Sequence, residues 1–276
     1  MTNRLLKSVK AFFRILLARD IASRSVTVFP DDVFITSYPR SGNTWMRFLI
    51  SNLIHQDDQT TFDTIDQRIP DIHSMSDTTI SGFPNPRFLK SHEYFDVRYP
   101  KVIYIVRDVR SVFVSLYHYR MRNGDLEPGL PYFDFGVQFI DGIYPRYGTW
   151  EENVISWISV RGNDRERFLL LKYEDLLDNC IRELKKVVRF LELDRSQEDL
   201  KNAVRKSSLD NMKTLEKQAS FQWTEMKEVE RKRIPFVREG RPREWTDVLD
   251  DRTIQLLNNK YGELLVRLGY SDKKRV

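Results

Sequence analysis

Between Ile35 and Trp45 the sequence reads ITSYPRSGNTW: an apolar segment, a short turn, then the start of a helical pattern. Such a strand-to-helix turn aims free main-chain N–H groups and the positive end of a helix dipole at one point, which suits an anion. Gly42 lets the backbone approach a ligand closely. Ser41 and Thr44 add hydroxyl donors, and Arg40 adds a cation. Laid over the Walker pattern GxxxxGK[ST], the segment puts Ser37 at the first glycine and Asn43 at the lysine, so two fixed positions differ. A Mg²⁺ held by Thr44 would need Asp108 as its acidic partner, and Asp108 reads instead as a helix cap. The loop is thus a poor nucleoside triphosphatase and a better metal-free anion site. Taken alone, it fits equally a strand–turn–helix that binds nothing.

A second pair of polar residues follows the segment KVIYIV, 101–106. Arg107 ends that apolar run, and Ser115 lies eight residues on, about two helical turns away. A strand-end arginine and a hydroxyl on the next helix can grip one phosphate, although a surface salt-bridging arginine explains Arg107 as well. With the first loop, the pair suggests a ligand carrying two separated phosphate-like groups.

These residues need elements to position them. DDVFITSY, RFLKSH, KVIYIV and RFLLLKYE read as short strands, the middle of each apolar. GNTWMRFLISNLIH, DVRSVFVSLYHYRMR, WEENVISWISV and DLLDNCIRELKKVVRFLEL read as helices, the last as one continuous amphipathic helix. Residues 56–86 are turn-rich, 123–148 read as a long loop, and the last third is helical apart from a basic loop at 230–245. Alternating strands and helices imply an α/β fold, a central parallel sheet wrapped by helices. In such sheets ligands bind beyond the carboxyl ends of the strands, where both polar clusters fall.

Composition narrows the classes. A chain of 276 residues with 41% hydrophobic and 31% charged residues is globular, and long enough for one sizeable core over 1–276. A net charge of +5 is too small to argue for nucleic acid but suits an acidic ligand. One cysteine, Cys180, excludes a disulfide framework, and the four histidines lack metal-ligand spacing, so no metal is expected. His55 and His73 read as surface residues, and His118 as a packing residue of its helix. Residues 1–20 form a basic amphipathic pattern interrupted by Lys7, Lys10, Arg14 and Arg19. That excludes an integral membrane span and leaves a helix packed on the domain, a peripheral membrane contact through 1–19, or a targeting sequence. Without an anchor, the expected location is cytoplasmic.

The ordered motifs between about residues 30 and 245 resemble the soluble, small-molecule sulfotransferases that use 3′-phosphoadenosine 5′-phosphosulfate (PAPS). PDDVFITSYPRSGNTW is similar to that family's PDD-strand followed by YPKSGTTW, and VRDVRSVFVSLYHY to its RNPKDxxVSxYHF. The resemblance implies a P-loop-like, three-layer α/β/α fold with PAPS as co-substrate, 3′-phosphoadenosine 5′-phosphate (PAP) as product and no metal. It implies that Arg40, Ser41, Gly42, Asn43, Thr44 and Trp45 hold the 5′-phosphosulfate end and the adenine, and Arg107 and Ser115 the 3′-phosphate. LKSH resembles the family's K-T-H, which makes His92 the general base and sets Lys90 beside the transferring group. KYEDL places Tyr173 near the adenine, and SSLDNM, similar to TSFxxM, adds Ser207, Ser208 and Leu209. PFVREGRPREW resembles the lid FxRKGxxGDW, giving Phe236, Val237, Arg238 and Gly240.

Arg40 stands where the family usually has lysine, a substitution known to be more than conservative in shape and hydration. Glu239 and Arg243 depart from the lid pattern, and the dimerisation signature KxxxTVxxxE is not visible. The implied function is sulfuryl transfer from PAPS to a hydroxyl or amine of a small-molecule acceptor. The alternative is a catalytically silent PAP-binding or membrane-surface adaptor protein. Loops 60–86 and 123–148 are expected to form the acceptor pocket.

Overall fold

The computed structural model describes residues 21–144, 146–219 and 245–270. The expectations for residues 1–20 and for the lid residues Phe236, Val237, Arg238 and Gly240 lie outside these described residues. Strands β1 (Val33–Ser37), β2 (Phe88–Ser91), β3 (Lys101–Val106) and β4 (Phe168–Lys172) form one sheet in the order β2-β1-β3-β4, and every pairing is parallel. The helices are α1 (Asn43–Ile54), α2 (Ile65–Arg68), α3 (Asp77–Ser81), α4 (Val109–Asn123), α5 (Tyr132–Ile140) and α6 (Trp150–Arg161). They continue with α7 (Tyr173–Asp178), α8 (Cys180–Phe190), α9 (Gln197–Lys206), α10 (Leu209–Gln218), α11 (Trp245–Val248) and α12 (Asp251–Arg267).

The sheet is buried on both faces, as parallel sheets are. Side chains alternate along each strand. Phe34, Val102, Tyr104 and Val106 face a core with Phe113, Phe135, Trp150, Trp157 and Tyr261, which come from α4, α5, α6 and α12. Val33, Ile35, Ile103 and Ile105 face a second core with Met46, Leu49, Leu184, Val187 and Ala203, from α1, α8 and α9. This is the expected three-layer α/β/α arrangement with a central parallel sheet.

Two expectations change. The loop read over 123–148 contains α5, which packs against α12 and puts Phe135 and Phe139 in the core. Its apolar stripe is real, with Phe135, Gly136 and Phe139 buried and Asp134, Val137 and Gln138 exposed, but the helix has only nine residues and follows Gly129 and Pro131, so the stretch read as loop. The single helix expected from Asp175 to Leu193 is two, α7 and α8. Asn179 is extended (φ −149°, ψ 82°), and its side chain accepts from Arg182 N, capping α8.

Candidate active site

The turn after β1 leads from Tyr38 to the start of α1. Arg40 (φ 69°) and Gly42 (φ 97°) both adopt left-handed backbone, the kind of turn that gathers successive N–H groups into an anion-sized concavity. Gly42 is required twice over. Its φ disfavours a side chain, and a Cβ there would lie 2.4 Å from Cδ2 of Tyr173. Ser41 is buried, with its Oγ lacking any hydrogen-bond partner among the described residues. Thr44 is half-buried in the first turn of α1.

Asn43 behaves differently from its neighbours. Its Nδ2 donates towards Ile35 O (2.9 Å), Ser37 Oγ (3.3 Å) and Ser91 O (3.3 Å), so its side chain joins the ends of β1 and β2. Only its main chain, at the N-terminus of α1, remains for an anion.

Arg107 leaves β3 at the same sheet edge. It donates from Nη1 to Arg40 O (3.2 Å), its guanidinium lies 4.4 Å above the Tyr173 ring, and its buried Nε has no partner among the described residues. Buried donors held without partners are costly, and Ser41 Oγ and Arg107 Nε, on the segments that follow β1 and β3, are each left open for an anionic group. Arg40 turns its Nε to Ser115 Oγ (3.2 Å) on α4 and lies over the Tyr119 ring. Burial, helped by the nearby Arg107, pulls the Arg40 guanidinium down to about 10, so it stays charged at neutral pH. Asp108 caps α4 through Arg110 N and pairs with the Arg110 guanidinium at 2.7 Å, which commits it to structure rather than to a metal. Among the described residues no group of metal-ligating side chains forms.

The aromatic residues expected near a base converge. Trp45 meets Tyr173 edge-on at 5.6 Å, and its Nε1 donates to Ser207 O (2.9 Å). Ser207 is buried and its hydroxyl receives Asn52 Nδ2, whereas Ser208 caps α10 through Asn211 N and Leu209 is exposed at its first turn.

His92 follows β2, next to the anion loop. Its Nδ1 lies 2.7 Å from Ser37 O, and a carbonyl only accepts. The ring proton is therefore on Nδ1, and Nε2 keeps its lone pair. Burial, with Lys90 and His73 close by, holds the His92 imidazole well below the usual histidine range. Lys90, expected beside a transferring group, instead binds Asp71 Oδ2 at 2.5 Å. Asp71 lies across a parallel bridge from Lys90, and a partly buried ammonium needs its counter-charge. Burial pushes the Asp71 carboxyl up, but Lys90 and neighbouring cationic groups outweigh it and hold it well below the carboxylate range.

The surface assignment for His73 is overturned, while His55 is exposed as expected. The His73 side chain is only 8% exposed, stacks on His92 (centroids 5.7 Å apart, planes within 9°) and meets Tyr147 edge-on. His73 lies in the turn that follows the bridge between Asp71 and Lys90, and that bridge brings its ring to His92. Glu93, Arg146 and Asn153 were missed as well. Glu93 is buried beneath the histidines, receiving Ser23 Oγ (2.7 Å) and Arg146 Nε (3.2 Å), and Asn153 Nδ2 donates to His92 O (3.1 Å). His118 packs against Tyr132 and Tyr117.

The sulfotransferase-domain family model matches residues 30–269. Mouse sulfotransferase 1 family member D1 is 31% identical over 233 residues, which cover 78% of this chain and 77% of its own. Human sulfotransferase 1E1 is 30% identical with the same coverage of both chains. Of solved structures, retinol dehydratase in complex with androsterone and the inactive cofactor PAP matches with TM-score 0.74 at 19% identity, covering 94% of this chain and 86% of that one. A mouse sulfotransferase complexed with PAP matches with TM-score 0.68 at 22% identity, covering 91% and 92%. At such identities the two structures speak to the shared fold. No helix among the described residues is long and apolar enough to cross a membrane.

Proposed function

The chain belongs to the sulfotransferase family, and we propose that it moves a sulfuryl group from PAPS to a hydroxyl or amine of a small molecule, with His92 as general base. The observation that carries this reading is the join between the two polar clusters. The His92 ring bonds Ser37 O, the last residue of β1, from which the anion loop departs. A proton acceptor and an anion cradle thus sit on adjacent strand ends.

The donor supplies an activated sulfuryl group at one end and a 3′-phosphate at the other. The unpartnered Ser41 Oγ and Arg107 Nε, together with the N-terminus of α1, fit two such anionic groups. Trp45 and Tyr173 form an aromatic corner between them for the base. In the transfer, a bond forms from the acceptor oxygen to sulfur while the bond from sulfur to the 5′-phosphate oxygen breaks. The acceptor proton goes to His92 Nε2, and the electron pair of the broken bond goes to the 5′-phosphate. N–H groups of the loop oppose that developing charge, while Arg40, bonded to Ser115 Oγ, adds its cation from the side of the 3′-phosphate. A neutral imidazole is the competent form of a base, and the depressed His92 keeps that form at neutral pH and below.

The test is direct. PAP at concentrations well above micromolar should raise the melting temperature, because a ligand that binds only the folded state stabilises it. Incubation with PAPS and a panel of phenols, alcohols and amines should yield a sulfated product, read by mass. No thermal shift with PAP sinks the donor assignment, and PAP binding without any product favours a silent binding protein.

A further inference from the structure

The segment Pro70–Ile72 runs beside β2 as a short parallel ladder. Lys90 N donates to Pro70 O (2.9 Å), and Ile72 N donates to Lys90 O (3.2 Å). In a parallel ladder the next bond would join His92 N to Ile72 O. It is not made, since Ile72 O receives Ser23 N at 2.7 Å. The main-chain N–H of His92 donates instead to the His73 ring, at Nε2, 2.8 Å away. An imidazole side chain stands in for a strand carbonyl directly beneath the residue assigned as the base.

From this geometry we infer that His73 is a positioning residue for His92, holding its main chain through a neutral ring whose Nε2 accepts and whose Nδ1 carries the proton. The inference rests on the assignment of His92 as general base. Acceptance at Nε2 is possible only while that nitrogen is unprotonated. The neighbourhood favours this state. Nδ1 faces Glu93 Oε1 at 3.8 Å, beyond hydrogen-bond reach. Burial draws the ring down to about 4, with Lys90 and Arg146 acting in the same direction and Asp71 against it. Asp71 fixes the His73 main chain by taking its N–H on Oδ1 (2.9 Å), and its other oxygen holds Lys90. The groups facing His73 are therefore Asp71 and Lys90 from the ladder, Glu93 behind, and Arg146 and Tyr147 from the segment before α6. The two parallel rings then move as one unit, with His92 Nδ1 held by Ser37 O and its main chain held by His73.

Two variants separate holding from filling. His73→Leu keeps bulk but cannot accept, and His73→Gln places Oε1 at the bond distance of Nε2. His73→Leu should lose kcat by about 10-fold or more, the scale of one unpaired buried N–H, with the KM for PAPS within about twofold of the parent. His73→Gln should recover most of the loss. Long-range ¹⁵N–¹H spectra of the ¹⁵N-labelled full chain should find the His73 Nε2 unprotonated and Nδ1 protonated from pH 6 to 8. Titration of His73 near the ordinary histidine value, or a protonated Nε2, overturns the inference. So does wild-type kcat in His73→Leu, or a His73→Gln variant no better than the leucine. Should the leucine variant fail to fold, the glutamine variant and the spectra decide. His92→Ala distinguishes the two levels. Turnover lost in His92→Ala but intact in His73→Leu removes the positioning role alone. Turnover intact in His92→Ala removes the base assignment, and the positioning role falls with it.

Discussion

The anion loop and the histidine pair sit on neighbouring strands and are built on opposite terms. The anion side keeps donors unpaired: Ser41 Oγ, on a loop with left-handed backbone at Arg40 and Gly42, and Arg107 Nε, after β3, are buried with no partner among the described residues. The histidine side closes its charges on one another. Lys90 sits on Asp71, and each imidazole has a ring nitrogen in a main-chain hydrogen bond. A site that binds charge must leave hydrogen-bonding capacity open, which costs stability. A site that accepts a proton must keep its base neutral and oriented, which favours burial and internal pairing.

If that contrast is right, changes on the two sides should separate in kinetics. The largest effect is expected from His92→Ala, which should lower kcat by roughly 10²–10⁴-fold, the usual worth of a general base, while PAP affinity stays unchanged in calorimetry. A parallel loss of PAP affinity would merge the two regions into one. Gly42→Ala should act in reverse. Its Cβ meets Tyr173 at 2.4 Å on a left-handed backbone, so PAP should bind ~10-fold or more weakly, and stability should fall by about 1–3 kcal/mol.

Acidification should reveal the histidine side alone. His73 is drawn to about 4 in the folded chain, by burial first, against ~6.5 unfolded. Between those values the unfolded state binds the extra proton. Stability is therefore full above pH ~6.5 and should decline as pH falls towards 4, by on the order of 2–3 kcal/mol from this residue. The His73→Gln variant should flatten that part of a denaturation-versus-pH curve, and an unchanged slope would contradict the neutral, buried ring. The smallest effect belongs to Trp45→Phe. It removes the bond from Nε1 to Ser207 O and should cost about 0.5–1.5 kcal/mol, together with a few-fold weaker PAP binding read in the same calorimetry.

The two regions also differ in how far the sequence disclosed them. The anion side was legible because its parts are local. A glycine at a helix start, an arginine at a strand end and a serine two turns later are fixed by short-range geometry, and strands β1 and β3 are uninterrupted apolar runs. The side-chain role of Asn43 was not legible, since its acceptor on Ser91 comes from another strand. His73 read as a surface residue in a turn-rich stretch, and Asp71 was not singled out. Only the pairing of Pro70–Ile72 with β2 brings them beneath His92, and such pairing is tertiary information. Helix α5 escaped for a different reason: it has only nine residues, contains Gly136 and follows a turn-rich run with Gly129 and Pro131, so its short stripe was taken for loop.

The amide of Asn43 has a consequence for how the fold can diversify. One side chain ties the tips of β1 and β2, the two strand ends from which the anion loop and His92 depart. Parts of the neighbouring loops that touch neither strand end can then vary without altering that tie, whereas Asp71 and His73, which hold Lys90 and the His92 main chain, cannot. On the proposed function, a change of acceptor would then come from those outer loop residues, with the spacing of the two strand ends kept.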